Sequence, residues 1–185
     1  MNDKVPAHLQ STVDRLLGAP IGDIPAPWKL TGGAGVGGLE SVGFGRGTDL
    51  LLVTSSQGRG VFDCISGQRI ARDRSDDTTE DSINLEALGI GPLDGEVVRM
   101  SGLCGGGLPG GTSDGWVAER LIRQWPEETL VLVPPGSWID GLAFNKPADF
   151  TKVFVGSEVR AWGFSPTGRS LVLATSSDVI LYARP

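Results

Sequence analysis

The sequence predicts a mainly β fold, and three observations support this class. Glycine accounts for 28 of the 185 residues and proline for 12, and this glycine content is about twice the usual ~7%. A chain of this kind turns often, which favours strands over helices. Apolar runs are short and are separated by polar turn residues. The stretch from Trp162 to Tyr182 reads as a complete β-hairpin. We therefore expect antiparallel sheets of short strands with one N-terminal helix.

The N-terminal residues 1–18 carry the helical pattern. An apolar stripe with helical spacing is formed by Leu9, Val13, Leu16 and Leu17. Gly18 follows in the position that a C-terminal cap prefers. The pattern predicts an amphipathic helix that packs on the domain, with exposure to a partner as the alternative. Residues 19–38 are rich in proline and glycine and are predicted to form a connector.

A single β domain is predicted over residues 39–185, with roughly ten to twelve short strands. Strands are expected at 39–44, 50–54, 60–65, 68–72, 96–101, 116–122 and 129–133, and around 138–144 and 152–163. A short helix is predicted at 82–88. In the C-terminal hairpin, residues 171–173 and 179–181 are expected to be buried and to share a sheet or a core with residues 50–53.

The first β block and the C-terminal hairpin share a pattern. Gly43-Phe44, a turn and Leu50 to Ser56 align with Gly163-Phe164, a turn and Leu171 to Ser177, with five identities among seven strand-and-turn positions. The sequence Phe164-Ser-Pro-Thr-Gly and the strands after it resemble a blade of a WD40-type β-propeller. Asp63 to Gly67 looks like the stretch between two blades.

The resemblance covers residues 43–72 and 162–182 and implies a compact, degenerate propeller-like assembly that acts as a protein-binding platform. Residues 39–185 hold fewer than four blade lengths of ~40 residues, and propellers usually have four to eight blades. No Gly-His or Trp-Asp pair marks a blade. A closed propeller of ordinary size is therefore not expected.

Net charge and cysteine content limit the partners and the compartment. The formal net charge is −6, so we expect no nucleic-acid partner and no anionic membrane partner, because both require a basic surface. A basic protein partner is compatible with this charge. Cys64 and Cys104 are far apart and are expected to be free thiols. The sequence shows no secretory signal and no apolar run long enough to span a membrane, which predicts a cytoplasmic protein.

Three stretches of the sequence contain residues that chemistry or ligand binding could use. Residues 33–38 match G-x-G-x-x-G but lack the strand before and the helix after that dinucleotide binding requires, so they are interpreted as a flexible loop. Residues 111–115 match G-x-S-x-G around Ser113, again without the following helix, and His8 is the only histidine. Cys104 lies in the glycine-rich loop 102–115. No cofactor and no zinc site are predicted.

The favoured hypothesis is a non-enzymatic protein-binding module, in its sharper form an acidic inhibitor or immunity-type protein that neutralises a basic enzyme or toxin. Residues 73–81 are interpreted as a solvated acidic loop; a calcium site there is the alternative. The expected partner-binding residues are Asp73, Asp76, Asp77, Glu80, Asp81, Cys104, Trp116 and Trp138. Two further hypotheses remain: a hydrolase or thiol-dependent enzyme that uses Ser113 or Cys104, and a structural or assembly component.

Overall fold

The computed structural model describes residues 6–7, 10–75, 80–139 and 149–185. In this part of the chain, one α-helix, α1 (Gln10–Gly18), precedes fifteen β-strands, and a 3₁₀ turn covers Gly91–Leu93. The strands are β1 (Lys29–Gly35), β2 (Leu39–Phe44), β3 (Leu50–Ser55), β4 (Gly58–Asp63), β5 (Gln68–Asp73), β6 (Glu80–Asp81), β7 (Glu86–Leu88), β8 (Val97–Arg99), β9 (Ser101–Gly102), β10 (Val117–Gln124), β11 (Glu127–Val133), β12 (Thr151–Gly156), β13 (Val159–Phe164), β14 (Ser170–Thr175) and β15 (Asp178–Ala183). The mainly β class is confirmed.

The strands form four antiparallel sheets. Sheet I has the order β6-β7-β8, sheet II β5-β4-β3-β2-β9, sheet III β1-β15-β14-β13 and sheet IV β10-β11-β12. Sheet II contains four strands that follow one another along the chain, β2 to β5, and sheet III contains three, β13 to β15. The flanking strands β9 and β1 come from elsewhere in the sequence. No closure of the four sheets into a propeller is found among the described residues.

Apolar clusters join the sheets in the order I, II, III, IV, and α1 covers the outer side of sheet IV. Each cluster takes side chains from two neighbouring layers, because alternate strand residues point to opposite faces of a sheet. The cluster between sheets I and II includes Leu52, Val61, Ala87 and Val98. The cluster between sheets II and III includes Leu51, Val53, Val172, Ala174, Val179 and Leu181. Sheets III and IV meet at Leu171, Leu173, Leu130 and Leu132, and Leu16 of α1 packs with Val131 and Val133.

The C-terminal hairpin is buried as predicted. Residues 171–173 are at most 1% exposed, and Val179 and Leu181 are fully buried. Ile180 is half-buried and packs on the opposite face, toward sheet IV. Because Leu51 and Val53 lie in the same cluster as Val179 and Leu181, the expected common core of the two hairpins is confirmed.

The two hairpins also repeat each other in three dimensions, with a constant offset of 120 residues between paired positions. Phe44 pairs with Leu51 in β2–β3, and Phe164 pairs with Leu171 in β13–β14. The sequence alignment of Leu50 with Leu171 was therefore wrong by one residue. A shift of one residue exchanges the two faces of a strand. With the offset of 120 residues, Leu51 and Val53 are the side chains of β3 that face sheet III.

A glycine occupies the same position of the first strand in both repeats, because another chain segment crosses there. A Cβ atom on Gly43 would lie 2.3 Å from the carbonyl oxygen of Arg99, and one on Gly163 would lie 2.7 Å from the Cβ of Leu108. The second crossing segment belongs to the glycine-rich loop, and the N–H of Phe164 donates to the carbonyl oxygen of Pro109 at 2.8 Å. Part of that loop is therefore packed against sheet III.

The interpretation of residues 33–38 as a flexible loop was wrong for residues 33–35. These residues end strand β1, which lies inside the predicted connector and pairs with β15. Main-chain hydrogen bonds hold such a strand without apolar alternation. A side chain on Gly32 would be excluded, because its Cβ would lie 2.5 Å from the carbonyl oxygen of Gly67.

The predicted helix at 82–88 was also wrong. Residues 82–85 form a turn between β6 and β7, because the Asp81 carboxylate binds the backbone N–H groups of Ile83 and Asn84, and such local bonds compete with a helix. The strand expected around 138–144 falls largely on residues 140–148, which lie outside the described residues. The single strand expected at 152–163 is two strands, β12 and β13.

A polar contact joins the turns of the two repeats. One carboxylate oxygen of Asp49 accepts hydrogen bonds from the hydroxyl groups of Ser165 at 2.8 Å, Thr167 at 2.7 Å and Ser170 at 2.6 Å. Ser165 and Ser170 are buried. Buried hydroxyls need a partner, so this carboxylate holds the 165–170 turn against sheet II.

We expect Asp49→Ala to lower the free energy of unfolding by about 2–4 kcal/mol, because it leaves buried hydroxyls without their charged acceptor. Asp49→Asn should lose less, since an amide oxygen still accepts. Asp23→Ala, at an exposed position, is the matched control. Urea unfolding followed by circular dichroism measures the difference, and an Asp49→Ala variant as stable as Asp23→Ala would contradict it.

Leu181→Ala tests the core between sheets II and III. The side chain is fully buried, so its truncation should lower the free energy of unfolding by about 2–5 kcal/mol. Leu30→Ala, on the neighbouring strand but 64% exposed, should change it by less than about 0.5 kcal/mol. Thermal and urea unfolding of both variants provide the measurement. Equal losses would show that β15 does not form the core as described.

Candidate interaction surface

The acidic character of the chain is concentrated in one segment. Residues 73–99 contain eight acidic and two basic residues, so their net charge of −6 equals that of the whole chain. The remaining 158 residues contain 14 acidic and 14 basic residues. This segment contributes all of sheet I, which lies at one end of the stack of sheets. The electrostatic field of the protein is therefore expected to be strongest at that end.

Asp73 stabilises the fold at the start of this segment. Its carboxylate accepts hydrogen bonds from the backbone N–H and the hydroxyl of Ser75, both at 2.9 Å, and pairs with the Arg59 guanidinium at 2.7 Å. The bond from the Ser75 N–H, followed by that from Arg59, lowers the pKa of Asp73 from 3.8 to about 2. Arg59 also donates to the carbonyl oxygen of Leu88 at 2.9 Å. Arg59 therefore ties sheet II to sheet I.

Glu80 and Asp81 are also engaged within the chain. Glu80 accepts a hydrogen bond from the buried Ser41 hydroxyl at 2.9 Å. Asp81 binds the backbone N–H groups of Ile83 and Asn84 at 2.9 and 3.0 Å and the Asn84 amide at 2.7 Å. These bonds, that of the Asn84 N–H first, lower the pKa of Asp81. Three of the acidic side chains expected to contact a partner, Asp73, Glu80 and Asp81, thus also form hydrogen bonds within the chain.

The consequence of the Asp81 contacts is a fixed turn that presents Ile83. This side chain is 90% exposed, although isoleucine is among the residues most often buried. A main-chain hydrogen bond also fixes this turn, because the N–H of Met100 donates to the carbonyl oxygen of Leu85 at 2.7 Å. The sequence signal that reveals this site is a lone isoleucine between Asp81 and Asn84, where an Asx-turn is favoured.

The outer face of sheet I is uncovered among the described residues. Ala87 and Val98 point toward sheet II and are buried, so the residues on either side of them in β7 and β8 point outward. Leu88 and Val97 are paired there and are 44% and 54% exposed. The outward-facing charged residues around this apolar pair are Asp81, Glu86 and Arg99. We call this face, together with the turn that bears Ile83, the acidic surface.

The remaining residues expected to contact a partner do not gather at this surface. Trp116 is buried and packs edge-on against Trp28, with ring centroids 5.9 Å apart. The expectation that Trp116 is an exposed anchor was wrong, because its indole belongs to the core between sheets III and IV. Trp138 is about half-exposed and lies between β11 and β12 along the chain. Asp76 and Asp77 lie outside the described residues.

The thiols and the G-x-S-x-G motif have distinct environments. Cys104 is an exposed free thiol in the glycine-rich loop, whereas Cys64 is buried, and burial raises the pKa of its thiol. Ser113 is exposed in a turn and is followed by strand β10, whereas a nucleophile elbow requires a helix at that point. His8 lies outside the described residues.

The end of the glycine-rich loop is fastened by Asp114. Its carboxylate forms a two-pronged ion pair with the Arg184 guanidinium, with N–O distances of 2.5 and 2.7 Å. Arg184 in turn donates to the carbonyl oxygen of Gly168 at 2.8 Å and lies 4.9 Å from the ring centroid of Trp28. The pair with Arg184 is the main reason that the pKa of Asp114 lies well below its usual range.

The described part of the chain contains neither a metal-binding group of side chains nor a membrane-spanning helix. Within residues 6–7, 10–75, 80–139 and 149–185, no three His, Cys, Asp or Glu side chains are grouped so as to hold a metal ion. No helix in that part of the chain is long and apolar enough to cross a bilayer. Comparison with protein-family models, curated proteins and solved structures finds no significant match.

The ion pair of Asp114 predicts a pH-dependent contribution to stability. A carboxyl group whose pKa is lowered by folding stabilises the protein above its unfolded pKa, here near 3.8, and loses that contribution as pH falls through the lower folded value. Asp114→Asn should therefore reduce stability most near neutral pH, and wild type and variant should converge in strong acid. Urea unfolding from pH 7 to pH 2 measures this, with Asp94→Asn as control. A difference that grows toward acid would contradict the expectation.

Proposed function

We propose that this chain is a non-enzymatic protein-binding module that docks a basic protein on its acidic surface. The observation that supports the proposal is that two features occur together at sheet I. Residues 73–99 carry a net charge of −6, and the outer face of the sheet bears exposed apolar side chains. Charge complementarity accelerates encounter and selects the partner, whereas apolar side chains such as Ile83 contribute to the affinity of the complex. In the sharper form of the hypothesis, the partner is a basic enzyme or toxin that the chain inhibits.

The acidic residues have two different roles in this proposal. Asp73, Glu80 and Asp81 shape the surface through bonds within the chain. The exposed Glu86 and Asp94 lie in the same acidic segment and are better placed for long-range attraction. The fixed turn that bears Ile83 loses little conformational entropy on binding, which favours affinity.

We also propose that the four sheets form an open arc of propeller-like blades. Support comes from the repeat in sheets II and III and from the layered apolar clusters, in which each sheet uses one face toward each neighbour. Because the arc is open and sheet I lies at one of its ends, the outer face of sheet I has no neighbouring sheet among the described residues. Propeller-like arrangements host many functions, so this architecture alone does not identify one.

The test of the proposed function uses two surface substitutions. Ile83→Ser combined with Leu88→Ser should weaken binding of the basic partner by at least about tenfold, or about 1.4 kcal/mol. Both side chains are exposed, so folding should be retained, which circular dichroism verifies. Leu30→Ser, at a similarly exposed leucine of sheet III, is the matched control and should bind like wild type.

Immobilised wild type, double variant and control are loaded with native lysate, and retained proteins are eluted with a salt gradient. The expected result is a basic protein retained by wild type and control, released by salt because the attraction is screened, and depleted on the double variant. Its affinity is then measured with purified components. Equal retention on all three columns, or retention of no basic protein by wild type, would remove the acidic surface from the function of this chain.

A further inference from the structure

Among the described residues, a second uncovered apolar surface lies at the other end of the stack of sheets, beside α1. A groove of about 280 Å³ is bounded by α1 on one side and by the β10–β11 hairpin on the other. Its lining consists of Val13, Leu16, Leu17, Leu121, Ile122 and Thr129. Trp125, in the turn of the same hairpin, is 84% exposed. We call the groove and this tryptophan the hairpin surface.

The groove is preformed because α1 is fixed in place. The buried Lys152 ammonium group donates to the carbonyl oxygen of Leu17 at 2.7 Å. The guanidinium of Arg15 lies 5.9 Å from the ring centroid of Phe150, within the range of a cation–π contact. Leu16 packs with the core of sheet IV. An occupant therefore finds the groove open and does not have to move the helix.

We propose that a second copy of this chain occupies the groove, related by a twofold axis that brings Trp125 of each copy into the groove of the other. At about 280 Å³, the groove is slightly smaller than the ~300–1,000 Å³ pockets that hold whole small ligands, so it suits one large side chain. The exposed indole and the groove lie on the same hairpin, which is the arrangement that a twofold, self-complementary interface requires. Tryptophan is also enriched among residues that dominate binding energy.

Charge distinguishes this surface from the acidic surface and favours a second copy over a strongly charged partner. Residues 10–18 and 117–133 contain four acidic and three basic residues. The Arg120–Glu128 ion pair, at 3.4 Å, lies on the other face of the hairpin, with Leu130. On the groove side, α1 contributes one charge of each sign, Asp14 and Arg15. A surface with nearly balanced charges of both signs can be complementary to itself after a twofold rotation, whereas it offers little attraction to a strongly basic or acidic partner.

The dimensions of the surface predict a reversible dimer. Strand β10 has eight residues, which corresponds to about 26 Å of extended chain. Helix α1 has nine residues, or about 14 Å. A face built from one short helix and one hairpin is smaller than the about 800 Å² per partner of a standard interface. The dimer should therefore form in the micromolar range and dissociate on dilution.

Sedimentation velocity of the full chain, from about 5 to about 500 µM, tests this range of affinity. Wild type is expected to shift from the monomer mass of 19.4 kDa toward twice that value. Trp125→Ser should raise the dissociation constant at least about tenfold. Ile122→Glu, at a 52% exposed position in the groove, should act in the same direction. Trp138→Ser, which removes another exposed tryptophan, is the matched control and should dimerise like wild type.

Circular dichroism establishes that each variant is folded before its mass is interpreted. A wild type that remains at 19.4 kDa at the highest concentration overturns the proposal, and the groove would then have a different occupant or none. Dimerisation of Trp125→Ser and Ile122→Glu at wild-type concentrations would also overturn it, because the interface would lie elsewhere. The test is independent of the acidic surface, since Ile83 and Leu88 are unchanged in every variant.

Discussion

The pairing of β1 with β15 is the interaction on which the rest of the fold depends. It joins residues 29–35 to residues 178–183, across most of the chain. Closing a loop of that length costs on the order of 4 kcal/mol in chain entropy. Burial of β15 offsets this cost, because Val179 and Leu181 enter the core toward sheet II while Ile180 and Tyr182 pack toward sheet IV. One strand thus contributes to two layers of core.

Much of the β architecture was predictable, because its strands carry their own signals. The runs beginning at Leu50 and Leu171 are apolar and end in polar turns, and the structure confirms both strands. Strand β1 carries no such signal, since four of its seven residues are glycine or alanine and its place is set by a distant partner. The helix expected at 82–88 failed because one local carboxylate, that of Asp81, competes for the backbone N–H groups.

The region of the candidate surface stands out in the sequence by its charge, whereas most of its contacts do not. Charge alone indicated the region around residues 73–81. It did not show that Asp73 and Asp81 would bind their own backbone neighbours, or that Ile83 would be the exposed side chain. Trp116 illustrates the converse limit: the sequence does not reveal which tryptophans meet Trp28 in the core. Which tryptophans meet depends on which sheets become neighbours, and short-range patterns do not encode that. The turn at Asp81 is local, so the spacing of Asp81 and Asn84 could have indicated it.

The antiparallel pairing of β1 and β15 also has a mechanical consequence. Lys29, where β1 begins, lies opposite Ala183, where β15 ends. A force that pulls the two ends of the chain apart would therefore act on the same end of this strand pair. The hydrogen bonds of the pair would be loaded one after another, as in the opening of a zipper, and not all together in shear. Once α1 and the residues up to Trp28 have been pulled away, the strand that completes the fold would thus be the next to be removed by such a force.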